Sequence, residues 1–185
     1  VITIGGAQMT GDIVIALRVP QPAAEQAKVD HGQAIPSLVD EEQIIEVDAF
    51  GAEGRKELQR RLIAEVLQAR CEELLEMVRA EVRRGAQEEL LAAGAVLTGG
   101  AASLPGIELL AEEVLELPAR IGRPRHLAGL SDLLHDPAYS SSVGLLRWAV
   151  RDQEIVIRTS PLEAVGAFGG LLRKVAQLMR VVLPQ

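Results

Sequence analysis

The stretch Val96–Val114, VLTGGAASLPGIELLAEEV, decides how this chain is read. An apolar run ends in Gly99-Gly100 and a few small residues, and Pro105-Gly106 then opens an amphipathic helix. Glycine has no Cβ, so such a turn can adopt positive φ and lets a ligand lie against the peptide plane. The following helix turns its N-terminal amides toward the same cleft. A tight strand-to-helix turn with close packing would use the same residues, so the motif alone leaves both readings open.

Working outward, strand-like and helix-like segments alternate. The sequence predicts strands at Val1–Ile4, EEQIIEV (41–47), Ala93–Thr98 and ARIGR (119–123), the third of them buried by its continuous apolar run between glycines. It predicts a helix through QMTGDIVIALRV, with Met9, Ile13, Ala16 and Leu17 on one face and Thr10 or Asp12 as cap. A second helix covers PQPAAEQAKVDHG, with prolines near its start and Gly32 past its end. The longest periodic segment runs from Lys56 to about Arg84. There Leu58, Leu62, Val66, Leu74, Val78 and Val82 step by fours, and Leu67, Cys71 and Leu75 widen the stripe. Further helices are expected in GIELLAEEVLEL and DPAYSSSVGLLRWAV. Strands alternating with helices define an α/β fold.

Composition sets the outer bounds. The chain has 185 residues, 48% hydrophobic and 24% charged, as in a folded domain and unlike a disordered one. No apolar run approaches the roughly 18 to 20 residues of a membrane-spanning helix. The net charge of −7 argues against nucleic acid as a partner. Its single cysteine, Cys71, allows no internal disulfide and is expected to be a buried small residue, as in a reducing compartment. His31, His126 and His135 are too scattered for a metal site. Ser140–Ser142 lack a nucleophile elbow and a paired histidine. Glu72, Glu73, Glu76, Arg79 and Arg83 read as a solvated helix face.

The charge is unevenly distributed. The last twenty residues hold Arg173, Lys174 and Arg180 and no acid, so the tail carries +3 and the body about −10. Phe168, Leu171, Leu172, Val175, Leu178, Met179 and Val182 recur at steps of three and four, opposite most of the cations. Such a helix could lie on an anionic membrane or dock on its own domain. Residues 151–165 read as a linker, with Glu154–Arg158 a possible strand.

Three segments taken together resemble one family. VITIGGAQMTGDIVIALRVP (1–20), EEQIIEVDAFGAEGRKELQRRLIAEVLQARCEELLEMV (41–78) and the long segment 96–146 follow, in order and spacing, the C-terminal half of the bacterial cell-division protein FtsA, an actin-like ATPase. The last segment is the most specific: a glycine pair is common to many actin-like proteins, whereas RIGRP, then GLSD, then PAYSSSVGLL resembles FtsA in particular.

The resemblance implies an actin-like, ribonuclease-H-like fold. Residues 1–20 and 94–150 would belong to subdomain IIA, 21–93 to subdomain IIB, 151–165 to a linker and 166–185 to an amphipathic membrane-targeting helix. TGGAAS would be the adenosine motif, carried by Gly99, Gly100, Ala101, Ala102 and Ser103, with Ala101 where the family usually has a third glycine. Glu25 and Lys28 match the family's acidic-x-x-basic pair for adenine or ribose, although an i, i+3 pair also fits a solvated surface. Arg55, Lys56, Arg60 and Arg61 would meet the acidic C-terminal peptide of FtsZ, or form a solvated face. The tail residues Phe168, Leu171, Leu172, Arg173, Lys174, Val175, Leu178, Met179, Arg180 and Val182 would bind the membrane. The family's Asp-rich phosphate turns are not found in this sequence. The chain is therefore expected to be the C-terminal piece of a longer protein, inactive alone, with ATP phosphates and Mg2+ held by the other half.

On this resemblance the protein would tether FtsZ filaments to the cytoplasmic face of the bacterial membrane at the division septum, peripherally and as self-associated filaments. An actin-like platform protein of the type IV pilus kind and a sugar-kinase-superfamily enzyme share the glycine turn, and both stay open at this point.

Overall fold

A computed structural model describes residues 2–51, 54–85, 91, 93–125 and 134–159, with side chains to 151. The chain divides into a unit of residues 1–141 and a second of residues 142–185.

The first unit opens with helix α1 (Gly6–Leu17), which buries Met9, Thr10, Ile13 and Leu17. Ala16, expected on that face, is exposed. Neither Thr10 nor Asp12 caps the helix. Gly5 is the N-cap, and Gln8 reaches back so that its Oε1 accepts from the Gly5 N–H at 2.9 Å. Residues 2–4 form no ladder. Their β-branched side chains favour a strand, but a strand needs a partner, and none lies beside them among the described residues.

Helix α2 (Gln21–His31) follows with Pro22 in its first turn and Gly32 as its C-cap, as the sequence predicts. Strands β1 (Ile44–Asp48) and β2 (Arg55–Gln59) form an antiparallel pair that sets Ile45 opposite Leu58. The predicted start of the long helix is therefore corrected: residues 55–59 are strand, and α3 runs Arg60–Arg84. Leu58 satisfies a helical step and a strand face equally well, and pairing with β1 decides between them. The buried side chains of α3 are Ile63, Ala64, Leu67, Cys71 and Leu75, so the residues expected to widen the stripe are its centre. Leu62 is exposed and Val66 and Val78 pack only at the flank.

Strand β3 (Ala95–Leu97) pairs in parallel with β4 (Ala119–Ile121), and helix α4 (Ile107–Leu115) connects them. The expectation that β3 is fully buried fails at Val96, which is 51% exposed, because β4 is the strand's only ladder partner among the described residues. α4 covers the pair with Ile107, Leu110, Ala111 and Leu115. Its outer carboxylates also serve the sheet: Glu108 Oε1 accepts from Ile121 N–H at 2.7 Å and Glu112 Oε1 from Ala119 N–H at 3.1 Å.

One core joins α1, α2, α3, α4 and the β1–β2 face. Each fully buried aliphatic side chain contributes about 1.5–3 kcal/mol. Polar clasps fix the packing: Arg70 of α3 donates to both carboxylate oxygens of Asp12 on α1, at 2.5 and 2.8 Å. Arg79, expected on a solvated face, instead pairs with Glu116 at the end of α4.

A 3-10 turn at Pro137–Tyr139 leads into α5 (Ser140–Thr159), the described part of which extends into the second unit. The helix continues through the first part of the stretch read as a linker, and Glu154–Arg158 are helical. Once nucleated, a helix gains one hydrogen bond per residue, and no Gly or Pro interrupts the sequence between Gly144 and Pro161. The tail residues 166–185, including every side chain assigned to the membrane, lie outside the described residues. No helix among the described residues is long and apolar enough to cross a membrane.

Candidate functional site

The glycine turn is shaped as its sequence suggests, with one difference. Gly99 has φ +92°, a conformation that favours glycine, and its N–H donates to the Pro137 carbonyl at 3.0 Å. A short 3-10 turn, Gly100–Ser103, intervenes before α4, whose N-cap is Gly106. A second turn clamps the first, for Asp136 Oδ1 accepts from Ala138 N–H at 2.8 Å while Thr98 Oγ1 approaches the Pro137 carbonyl at 3.4 Å.

This turn forms one wall of a cleft of about 550 Å³, within the range of small-molecule sites. Gly100, Ala101 and Ser103 line it from one side, and Glu25 and Lys28 of α2 from another. Five of the seven residues expected at a nucleotide site are thus brought together from positions far apart in sequence. Gly99 shapes the turn without lining the cleft, and Ala102 is buried behind it. Gly6 and Met9 of α1 and Asp136, which sequence reasoning did not place here, also line the cleft.

The i, i+3 pair is a built element of the site. Lys28 Nζ donates to Glu25 Oε2 at 2.7 Å, to Thr10 Oγ1 at 2.8 Å and to the Gly6 carbonyl at 3.0 Å. Burial pulls the Glu25 carboxyl upward, but the hydrogen bonds from Lys28 and Thr10, with the Lys28 charge, outweigh it and hold the group below its ordinary range. An ammonium with all three donors occupied has none left for a phosphate. The other charged groups lining the cleft, Glu25 and Asp136, are acids. The cleft therefore suits a neutral, hydrogen-bond-donating group better than an anion.

The basic cluster has a different character. Arg55 and Lys56 lie on β2 and not on the long helix; only Arg60 and Arg61 open α3. Arg55 pairs with Glu46 at 2.9 Å. Lys56 donates to the Leu17 carbonyl at 3.2 Å. Arg60 Nε donates to the His31 carbonyl at 2.8 Å and its Nη1 to Gln43 Oε1 at 3.0 Å. Arg61 pairs with Glu41 and, at 3.5 Å, with Glu65. No group of three or more His, Cys, Asp or Glu side chains among the described residues could hold a metal ion.

The fold that carries this glycine turn is actin-like, as a solved structure shows. MreB5 of Spiroplasma citri, in a crystal structure bound to AMPPNP, superposes with a TM-score of 0.62 at 17% identity, over 86% of this chain and 47% of that one. The sequence goes further than the fold. The family model for cell division protein FtsA matches residues 1–144. Cell division protein FtsA of Pseudomonas aeruginosa is 41% identical over 153 residues, which is 83% of this chain and 37% of that protein. The protein of the same description from Escherichia coli strain K12 is 40% identical over 156 residues, 80% of this chain and 37% of the relative. The chain belongs to the FtsA family of cell-division proteins. It spans about 37% of the length of these relatives.

Proposed function

We propose that this chain supplies the adenosine half of an ATP site in an FtsA-like protein that tethers FtsZ filaments to the membrane. Of the classes open at the sequence level, the family match favours the cell-division protein over the pilus platform and the sugar kinase. The observation that carries the nucleotide reading is the convergence of Gly100, Ala101 and Ser103 with Glu25 and Lys28 on one cleft. The AMPPNP held by the MreB5 structure supports a nucleotide as the ligand class. Phosphates and Mg2+ would be held by parts of the full-length protein beyond this chain, and hydrolysis would depend on them. Residues 1–20 with 94–150 would form subdomain IIA and 21–93 subdomain IIB.

Two further surfaces complete the tether. The basic residues Arg55, Lys56, Arg60 and Arg61 would take the acidic peptide of FtsZ, and 166–185 would lie on the anionic cytoplasmic face at the septum. Filaments of the protein would multiply weak single contacts into stable attachment.

Gly100→Val tests the nucleotide site. No positive φ constrains Gly100, and a Cβ there meets only Ala138 Cβ, at 3.9 Å. The backbone accepts valine, and its branched side chain occupies the cleft. ATP titrated calorimetrically into the full-length protein should bind the variant at least about tenfold more weakly, the loss of roughly 1.4 kcal/mol of contact. Equal affinity would refute the assignment.

A further inference from the structure

Thr10 is the one buried polar side chain in the described core, at 2% exposure. It stands mid-helix on the apolar face of α1, where a hydroxyl residue is a poor helix former and its buried Oγ1 needs a partner. Its Oγ1 lies 3.0 Å from the Gly6 carbonyl and makes a short hydrogen bond to Glu25 Oε2, while accepting from Lys28 Nζ. Thr10 and Lys28 therefore both bond one oxygen of Glu25, Oε2. The other oxygen, Oε1, has no hydrogen-bond partner among the described residues, and Glu25 lines the cleft with about half its side chain exposed.

We infer that Thr10 is the positioning residue of this site: its hydroxyl fixes Glu25 and Lys28 so that Glu25 Oε1 alone accepts a neutral O–H or N–H donor of the nucleoside. Lys28, its three donors engaged by Glu25, Thr10 and the Gly6 carbonyl, holds the carboxylate from the same side. The inference rests on the nucleotide reading above and adds the atom that recognises the ligand and the residue that aims it. The titratable groups lining the cleft are Glu25, Lys28 and Asp136. Removing the Thr10 hydroxyl takes a donor from the Glu25 carboxylate, which disfavours its charged form and lifts its pKa.

The test measures ATP binding to the full-length protein by calorimetry, alongside 2′-deoxy-ATP, 3′-deoxy-ATP and the triphosphate of purine riboside, which lacks the exocyclic amine. The wild type should bind at least one of these analogues more weakly than ATP, and that analogue names the donor. Thr10→Val, of nearly the same size, should weaken ATP binding by about tenfold, the scale of a hydrogen bond to a charged group. It should also erase the discrimination and move the acid-side loss of affinity to higher pH. Thr10→Ser should restore all three. Should the valine variant not fold, Thr10→Cys keeps the size with a much weaker hydrogen bond and is held to the same outcomes. If Thr10→Val retains wild-type affinity and selectivity, the assignment of Thr10 is overturned. An equal loss for ATP and every analogue, with an unmoved pH midpoint, overturns it too and leaves Thr10 structural. If the wild type binds all four ligands equally, no donor of the nucleoside meets Glu25 and the inference is overturned while the nucleotide reading stands; if it binds no ATP, that reading itself falls.

Discussion

A Cβ on Gly94 would lie 2.1 Å from the carbonyl oxygen of Pro118. That carbonyl already accepts from the Ala95 N–H at 2.8 Å, the first bond that brings β3 alongside β4. Gly94 also has φ +74°, so glycine is required twice over, for backbone conformation and for space. Gly94→Ala should destabilise the fold by about 2–4 kcal/mol, from left-handed strain plus a clash against backbone that cannot rotate away. Thermal unfolding by circular dichroism checks this, and an unchanged Tm would show that the β3–β4 junction is looser than described.

Cys71 is fully buried on α3, and its thiol is pushed up to about 12, by burial first and by the Glu72 charge second. The thiolate is the reactive form. At pH 8, Ellman's reagent should therefore label the native protein at least about a hundredfold more slowly than the denatured one. The linkage has a definite sign. An unfolded thiol releases its proton near its ordinary value, whereas the folded one holds it. Cys71 thus leaves stability intact below pH 9 and withdraws it as pH rises toward 12. Cys71→Ser should flatten that alkaline loss while lowering stability at neutral pH, since a hydroxyl is buried in its place.

The glycine turn could be read from sequence because its chemistry is local: a strand, two glycines and a helix start stand next to one another. Glu25 and Lys28 could be assigned through a family resemblance, since an i, i+3 pair on a helix has many uses. Asp136 and Thr10 were hidden for a different reason, because only the folded chain brings Asp136 to the cleft and Thr10, buried behind it, to the Glu25 carboxylate. One signal for Thr10 was present, a hydroxyl on a face otherwise made of Met9, Ile13 and Leu17. Strand β2 was missed because Leu58 continues a four-residue step, and only its pairing opposite Ile45 reveals the strand. Local periodicity reports which face is apolar, and tertiary hydrogen bonds settle which element carries it.

The tail prediction stands on sequence. On a helix, the apolar residues from Phe168 to Val182 would fall in a stripe opposite most of Arg173, Lys174 and Arg180. Each cation near an anionic surface contributes on the order of 1 kcal/mol, so a single helix binds only marginally and reversibly. Deleting residues 166–185 should abolish sedimentation of the full-length protein with anionic liposomes. Leu172→Glu should come close to the same effect by placing a charge in the stripe. A truncated protein that still pellets with the vesicles would show that the anchor lies elsewhere.

The paired arginines at the start of α3 separate by what they hold. Arg60 binds the His31 carbonyl at the end of α2 and the Gln43 side chain, and its own N–H donates to the Gln43 carbonyl at 2.9 Å. It fastens the end of α2 and the residue before β1 to the start of α3, so Arg60→Glu should lower Tm and partner binding at once and cannot distinguish them. Arg61 makes ion pairs with Glu41 and Glu65, whose side chains are 78% and 52% exposed. Exposed pairs of this kind contribute little to stability. An acidic peptide can exchange for those carboxylates at little cost, which makes Arg61 the better candidate for contact with the FtsZ tail. Arg61→Glu should leave Tm nearly unchanged while weakening capture of the acidic FtsZ peptide several-fold in fluorescence anisotropy. Added salt should weaken the wild-type contact and narrow the gap between the two proteins, because rim charges are screened over about 8 Å at physiological ionic strength. Unchanged binding by a folded Arg61→Glu protein would move the FtsZ contact away from the start of α3.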